Sequence, residues 1–259
     1  MDTSEVLDLQ TTADQLGVHY QTAYRWVRSG RLPAQLIGGR YAVERAELTA
    51  FDRTRRRPAA LTTPSAARLD RSADRVHDAL MEGDEKTVGA ITRKLVDEGS
   101  SMIDIVDAVF APSLRRIGQS WHDGDLTVWT EHRASAIVER VLGELAPNPR
   151  GRRRGTAMVA ALAGDRHSLP TTMAACALRD DNWHVHHLGS DLPADDIVDF
   201  CTRHDISVAV ITVTTSDTAE LARNTADRLQ AAGTPTIVGQ PGRTLSDLVE
   251  QARAAAASA

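Results

Sequence analysis

The sequence predicts a multidomain chain of α and α/β class: a winged helix-turn-helix, then a four-helix bundle, then a truncated doubly wound parallel sheet. Three observations predict it. Arginines and aromatic residues crowd the N-terminal part of the chain, around a glycine between two short helical stretches. Residues 68–147 carry four amphipathic stripes with apolar positions three and four apart. From Thr156 onward, short β-branched runs alternate with helical stretches, the pattern of a parallel sheet covered by helices. The boundaries read from the chain are 1–53, a linker at 54–67, 68–147, a second linker at 148–155, and 156–259.

Composition excludes several classes. The chain has 259 residues, 42% apolar and 25% charged, an ordinary globular balance that suffices for two or three compact units. No apolar run approaches the roughly 20 residues needed to span a bilayer. The first ten residues, MDTSEVLDLQ, lack the basic and apolar regions of a secretory signal. Cys176 and Cys201 cannot make a disulfide scaffold or a cysteine zinc site and read as buried helix residues. A reducing, cytoplasmic compartment is therefore expected, with no membrane partner. The net charge of −5 is unevenly spread. Residues 21–57 hold nine arginines against Glu44, Glu47 and Asp52, whereas residues 61–259 hold 21 basic against 28 acidic side chains. A basic head on an acidic body points to nucleic acid at one end; the alternative is a solvated cluster.

In the N-terminal segment, residues 11–18 read as a short capped helix ending at Gly17, and residues 19–28 as a second helix. Ala13, Leu16, Val18, Ala23 and Val27 supply a small shared core. Two helices about a glycine turn make a helix-turn-helix. Residues 36–43 read as two short strands joined at Gly38-Gly39, and residues 44–51 as a closing helix. The second helix fits the major groove of double-stranded DNA and offers Gln21, Thr22, Tyr24, Arg25 and Arg28. Arg40, at the wing tip, reaches a phosphate or the minor groove. A small helical protein-interaction domain is the competing reading. The order Leu16-Gly17-Val18, Arg25-Trp26, Gly30-Arg31-Leu32-Pro33 and Gly38-Gly39-Arg40 resembles the winged helix-turn-helix of the excisionase and MerR families. One such unit binds weakly, so useful affinity implies a homo-oligomer, dimer or tetramer, on repeated half-sites of an operator.

The bundle helices are expected at 68–82, from Asp84 to Glu98, from Ser101 to about Trp121 with a bend at Pro112, and from about Thr127 to Leu145. Trp121 ends the third, and Glu131 and His132 lie in the first turns of the fourth. Trp129 lies three residues before His132, on a similar face. A lone histidine on a bundle is usually surface or satisfied core; a tryptophan, a carboxylate and an imidazole at one end suit a pocket for a flat polar group. Ile117-Gly118-Gln119-Ser120-Trp121-His122 followed by Glu131-His132 resembles the Trp-x(9)-Glu-His pattern of cobalamin-dependent photoreceptor repressors of the CarH type. It is similar, more loosely, to the helical cap of corrinoid methyltransferase modules. The resemblance implies that the bundle covers the upper corrin face. Trp121 and Glu131 would then cover or touch the adenosyl group, and His132 would capture cobalt once that group has left.

Strands are expected at 156–162, 185–188, 207–213 and 236–238, and helices at 170–179, 194–204, 218–232 and 245–256. Ligands bind such sheets beyond the carboxyl ends of the strands, and Asp165 and His167 follow the first strand at that edge. A neutral imidazole suits a transition metal, and a carboxylate on its other nitrogen fixes the tautomer. Taken alone, Asp-x-His is as readily a loop cap or surface pair. In this context it resembles the Asp-x-His-x-x-Gly loop of cobalamin-binding domains, which implies His167 as the lower cobalt ligand. Several positions depart from the family pattern. Its loop glycine is Pro170, its Ser-x-Leu becomes Thr212-Val213-Thr214, its Gly-Gly becomes Gly239-Gln240 with Gly242 nearby, and the sheet has four strands rather than five. Thr212, Thr214, Gly239 and Gly242 line the expected cleft for the nucleotide tail. Alternation puts His184 and His186 on one face of the second strand; with His187 they read as sheet or surface histidines.

The resemblance as a whole implies a light-responsive transcriptional regulator, not an enzyme. Bound adenosylcobalamin, with its cobalt, would set its oligomeric state and DNA affinity. Two alternatives stand beside it: a DNA-binding regulator whose degenerate cobalamin domain senses another ligand or a protein partner, and a corrinoid methyl carrier.

Overall fold

A three-stranded antiparallel sheet organises the first part of the chain. The computed structural model describes residues 6–16, 20–28, 32–56, 66–146, 151–240 and 242–257. They fall into two units, Met1–Thr63 and Pro64–Ala259. In the first unit β1 (Val6–Asp8) leads into α1 (Leu9–Leu16), followed by α2 (Tyr20–Arg28), β2 (Gln35–Ile37), β3 (Arg40–Glu44) and α3 (Arg45–Arg56). The sheet order is β1-β3-β2, with Leu7 opposite Val43 and Leu36 opposite Tyr41. Gly38 and Gly39 have φ of +57° and +81°, and a two-residue turn with both central residues left-handed is the one that fits strand twist. The expected wing is present. The strand β1 was not expected, because three residues cannot display an alternation. The first helix begins at Leu9 rather than Thr11, since Asp8 is its cap: Thr11 N–H donates to the Asp8 carboxylate at 2.7 Å. Leu7, Leu9, Ala13, Leu16, Ala23, Leu32, Val43 and Leu48 form the core, and Trp26 packs on Phe51. The Gly17 turn, Val18 and the start of the Gly30–Pro33 stretch lie outside the described residues.

The second unit opens with α4 (Ala66–Glu82) and α5 (Glu85–Asp97). Asp84 caps α5 by accepting from Thr87 N–H at 3.0 Å and from its hydroxyl at 2.6 Å. Ser101 and Asp104 form a reciprocal capping box at α6 (Met102–Ile105). The chain then widens into a π-helical turn, Val106–Phe110, before α7 (Ala111–His122). A bend was expected at Pro112; the irregularity present is this π turn, which lies upstream of the proline. Pro112 has no N–H, and in an α-helix its ring would strike the carbonyl of Ala108. The π turn relieves this, and Ala111 N–H reaches back five residues to Val106 O. The bundle closes with α8 (Val128–Leu145) around Val76, Leu80, Val88, Leu95, Phe110, Ile117, Ile137 and Leu142. Among the described residues no helix is long and apolar enough to cross a membrane.

After it come β4 (Thr156–Leu162), α9 (Ser168–Asp180), β5 (His184–Leu192), α10 (Ala194–Arg203), β6 (Val208–Thr212), α11 (Ser216–Ala231), β7 (Thr236–Val238) and α12 (Leu245–Ala257). All strand pairs are parallel, in the order β5-β4-β6-β7. One face of the sheet packs with α9 and α12 through Val159, Val208, Val210, Leu178 and Trp183. The other packs with α10 and α11 through Met158, Leu162, Ile211, Ile197 and Leu229. The fold is therefore doubly wound, and the strand order reverses between β4 and β6, which makes their carboxyl ends the natural crevice. β5 runs four residues beyond its expected end, passing Gly189 and Asp191 in left-handed conformation with register shifts against β4. The rings of His184 and His186 lie 4.8 Å apart, as alternation predicts, beside Phe200 and His204.

Bundle and sheet, read as separate stretches of sequence, share α9. Ala174, Ala175 and Ala177 face the sheet, while Cys176 joins the bundle core. Two carboxylates lock the layers together. Asp107, in the π turn, accepts from Leu245 N–H at 2.7 Å and from Ser246 N–H and hydroxyl at 3.0 and 2.8 Å, capping α12. Asp180, at the end of α9, accepts from Met102 N–H at 2.8 Å at the start of α6. Burial, chiefly, raises the Asp180 carboxyl above its usual range, with Asp104 and Asp181 adding and the backbone donors opposing. Burial pushes both thiols up to about 11, so Cys176 and Cys201 are unreactive core groups.

Asp107→Ala should remove the α12 cap and lower stability by about 1 kcal/mol, or about 2–4 °C in the melting temperature, with Asp107→Asn losing less. Burial, followed by the charge of Arg179, holds the His187 imidazole below its ordinary value against the opposing pull of Glu139. A depressed folded-state value means that the unfolded chain binds the extra proton first. Stability is then full above about pH 6.5 and falls as the pH drops through that value. Melting temperatures at pH 7.5 and 5.5 should show a smaller acid loss in His187→Gln than in the unaltered chain.

Candidate functional site

The chain leaves β4 at Leu162 and turns at Gly164, whose φ is +93°. This turn buries Asp165 completely. Its carboxylate accepts from four donors: Thr214 N–H at 2.9 Å, Thr214 hydroxyl at 2.6 Å, His167 N–H at 3.2 Å and His167 Nδ1 at 2.9 Å. Burial alone would raise this carboxyl; the bonds from Thr214 and His167 outweigh it and hold the group below its usual range. Thr214 follows β6, so the cluster joins the two strand ends that flank the order reversal. His167 stands just before α9, and its side chain is 61% exposed. Nδ1 faces Asp165 and the Thr214 oxygen, 2.8 Å away, which puts the proton there and leaves Nε2 as the open lone pair. Pro170 occupies the third position of α9, within the first turn, where helical N–H groups have no partner in any case.

The bundle presents a matching pair. On α8, the Glu131 carboxylate accepts from Ser135 hydroxyl at 2.8 Å and lies 2.7 Å from His132 Nδ1. The His132 side chain is 74% exposed, and its Nε2 is likewise left open. His132, Glu131 and His167 line one open cavity of about 450 Å3, bordered also by Leu114 on α7 and by Leu169 and Met173 on α9. A second space of about 190 Å3 lies between the ends of β6 and β7, the π turn and α12, and Thr212 and Gly239 line it. Ala111, Pro170 and Met173 border both spaces, so the two adjoin. A Cβ on Gly239 would meet the Thr212 backbone at 3.3 Å, so a side chain there would crowd the mouth of the second space. Gly242 has φ of +87° and lies beyond its lining. Thr214, expected in the tail cleft, instead serves Asp165 and His167. Trp121 and Trp129 are 47% and 60% exposed and line neither space; Arg133 lies over the Trp129 ring at 5.2 Å. Sequence reasoning missed Ser135, which its spacing of four from Glu131 on a helix marks as a neighbour, and also Glu139 and Met173.

On the first unit, α2 carries Gln21, Thr22, Tyr24, Arg25 and Arg28, and Arg40 opens β3. The side chains of Gln21, Thr22, Arg25 and Arg40 lie outside the described part. Tyr24 packs on Tyr20 and, edge-on at 5.9 Å, on Tyr41 of the wing, while remaining 38% exposed. Arg28 donates to Tyr41, which is the chief cause of its raised pKa. Helix and wing thus share one polar and aromatic face.

Comparison with known proteins agrees with this division. Residues 6–56 match a helix-turn-helix domain family, and residues 72–146 and 155–257 match two B12 binding domain families. The chain is 22% identical over 131 residues to a corrinoid protein of Desulfitobacterium hafniense strain Y51, covering 48% of this chain and 61% of that one. It is 36% identical over 92 residues to the HTH-type transcriptional repressor CarH of Myxococcus xanthus, covering 35% of this chain and 30% of that one. It thus spans less than two thirds of each curated relative. The monomethylamine corrinoid protein of Methanosarcina barkeri superposes with a TM-score of 0.57 at 14% identity, over 73% of this chain and 96% of that one, a likeness of fold. The family matches indicate a cobalamin cofactor and a DNA-binding head, and they support a B12-binding helix-turn-helix regulator.

Thr214→Val should remove one donor from Asp165 and raise its carboxyl pKa, read by carbon NMR titration, whereas Thr214→Ser should restore it.

Proposed function

We propose that the chain is a cobalamin-dependent, light-responsive DNA-binding transcriptional regulator whose self-association and DNA affinity depend on bound adenosylcobalamin. One observation carries the reading: two imidazoles, each held at Nδ1 by its own carboxylate, line the same cavity between bundle and sheet. The donor set fits a cobalt corrin, since neutral imidazole is a good ligand for such a metal and both tautomers are already fixed. His167 would hold the metal from the sheet side and His132 from the bundle side, with the smaller adjoining space, lined by Thr212 and Gly239, for the nucleotide tail. When bound, the group supplies a cobalt–carbon bond that visible light breaks.

The rest is the work of the chain. Asp165 and Thr214 keep His167 in one orientation, and Glu131 with Ser135 does the same for His132 on α8. A ligand that engages His132 in one state and not the other biases the position of α8 over α9. A bias of that kind changes which bundle surfaces are offered to a second copy. One helix-turn-helix unit binds weakly, so assembly sets affinity for the operator. No turnover is needed. The corrinoid proteins among the matches favour a second reading, a methyl carrier, which has no use for the DNA-binding head.

Apoprotein titrated with adenosylcobalamin in the dark should take it up and change absorbance on green illumination, with a smaller particle by size-exclusion chromatography in the light. A colourless protein that binds none defeats the proposal. Asp165→Asn should weaken uptake by roughly 10–100-fold. His132→Ala should keep dark uptake and alter the illuminated spectrum; an unchanged illuminated spectrum removes His132 from its role.

A further inference from the structure

Away from the cofactor cavity, α4 and α5 enclose an open groove of about 530 Å3 on the outer face of the bundle. Four cations line it: Arg68, Arg71 and Arg75 on α4, and Lys94 on α5. No carboxylate does, although the chain as a whole carries five more acids than bases. Arg68 is paired with Glu98. Arg71, Arg75 and Lys94 are exposed and have no ion-pair partner among the described residues. This contrasts with the surface around them. Arg116 pairs with Asp74, Arg140 with Glu85 and Arg93 with Glu144, so neighbouring bundle cations are locally neutralised. Arg71 and Arg75 are four apart on one helix, about 6 Å along its axis, and so stand as a row on one face.

We infer that this groove is a second, sequence-independent contact for the DNA duplex, in which Arg71, Arg75 and Lys94 meet backbone phosphates. The inference rests on the DNA-binding reading of the first unit and extends it. Two observations favour duplex DNA as the occupant. The groove is open, and six of the nine residues that line it are cations or carry hydroxyls, with Ala90, Ile91 and Leu95 the remainder. It also begins nine residues, 57–65, after the helix-turn-helix unit, so a duplex held by that unit is presented to α4 at high effective concentration. Guanidinium and ammonium groups without base-reading partners supply affinity and salt sensitivity rather than specificity.

The test uses the full chain loaded with adenosylcobalamin in the dark and a labelled mixed-sequence duplex, with anisotropy read from 50 to 200 mM salt. Arg71→Gln/Arg75→Gln/Lys94→Gln should weaken binding and reduce the slope of log K against log salt by about three, one for each lost phosphate contact. A charge-matched variant on the far side of the sheet, Arg203→Gln/Arg223→Gln/Arg228→Gln, should leave the slope unchanged. Equal slopes for the groove variant and the unaltered chain overturn the inference while leaving the regulator reading intact, as does equal loss in both variants. Altered self-association with an unchanged slope also overturns it, and assigns the groove to a contact between copies. No retention of any duplex by the unaltered chain overturns both the inference and the reading it rests on.

Discussion

A carboxylate with no exposure to water sits in the turn just beyond β4, and the site depends on it. Asp165 is tolerable there only because four donors converge on it, two from Thr214 and two from His167. These donors come from the turns after β4 and β6, the two strands between which the sheet order reverses. The same bonds that satisfy the charge therefore close the crevice at its base and aim an imidazole out of it. If the carboxylate were lost, the His167 ring would keep only the Thr214 oxygen as a partner at Nδ1, and the turns after β4 and β6 would lose the group that joins them.

The second constraint is the helix that follows. α9 is packed on both sides, and its run of alanines lets it lie close to β4 while Cys176 and Met173 reach into the bundle. The cavity owes its walls to this arrangement, since His167 stands at the start of α9 and the first turns of that helix face α8 across the same space. Reciprocal helix caps from Asp107 and Asp180 make bundle and sheet a single object. These bonds tie α6 and the π turn to α9 and α12, whereas α8 meets α9 through the Thr172 hydroxyl, which donates to the Glu139 carboxylate at 3.2 Å.

Much of this was legible in the chain. The three-and-four spacing of Val76, Leu80, Ile137 and Val141 marked the bundle, and the run at 156–162 marked a strand buried on both faces. Asp84 and Ser101 announced helix starts through local chemistry, and the structure uses both. Asp165 and His167 could be placed at a strand end from the alternation alone. What stayed hidden depended on residues distant in sequence. β1 exists through pairing with β3. The union of bundle and sheet rests on Asp107 and Asp180, whose partners lie far along the chain. Thr214 looked like part of a tail cleft because residues two apart on a regular strand share a face with one another, yet β6 ends at Thr212 and the chain beyond it turns Thr214 onto Asp165 and His167.

The π turn has a geometric consequence of its own. Each residue advances a helix by about 100°, so the extra residue accommodated between Val106 and Phe110 re-phases everything downstream. Upstream of it Met102 and Ile103 address α9, within it Asp107 addresses α12, and after it Leu114 and Ile117 address the cavity and the bundle interior. One continuous rod of regular pitch could not serve both sets of neighbours. The irregular turn acts as a phase shifter, and shortening it by a single residue would swing Leu114 out of the cavity wall while leaving every side chain of the cavity chemically intact.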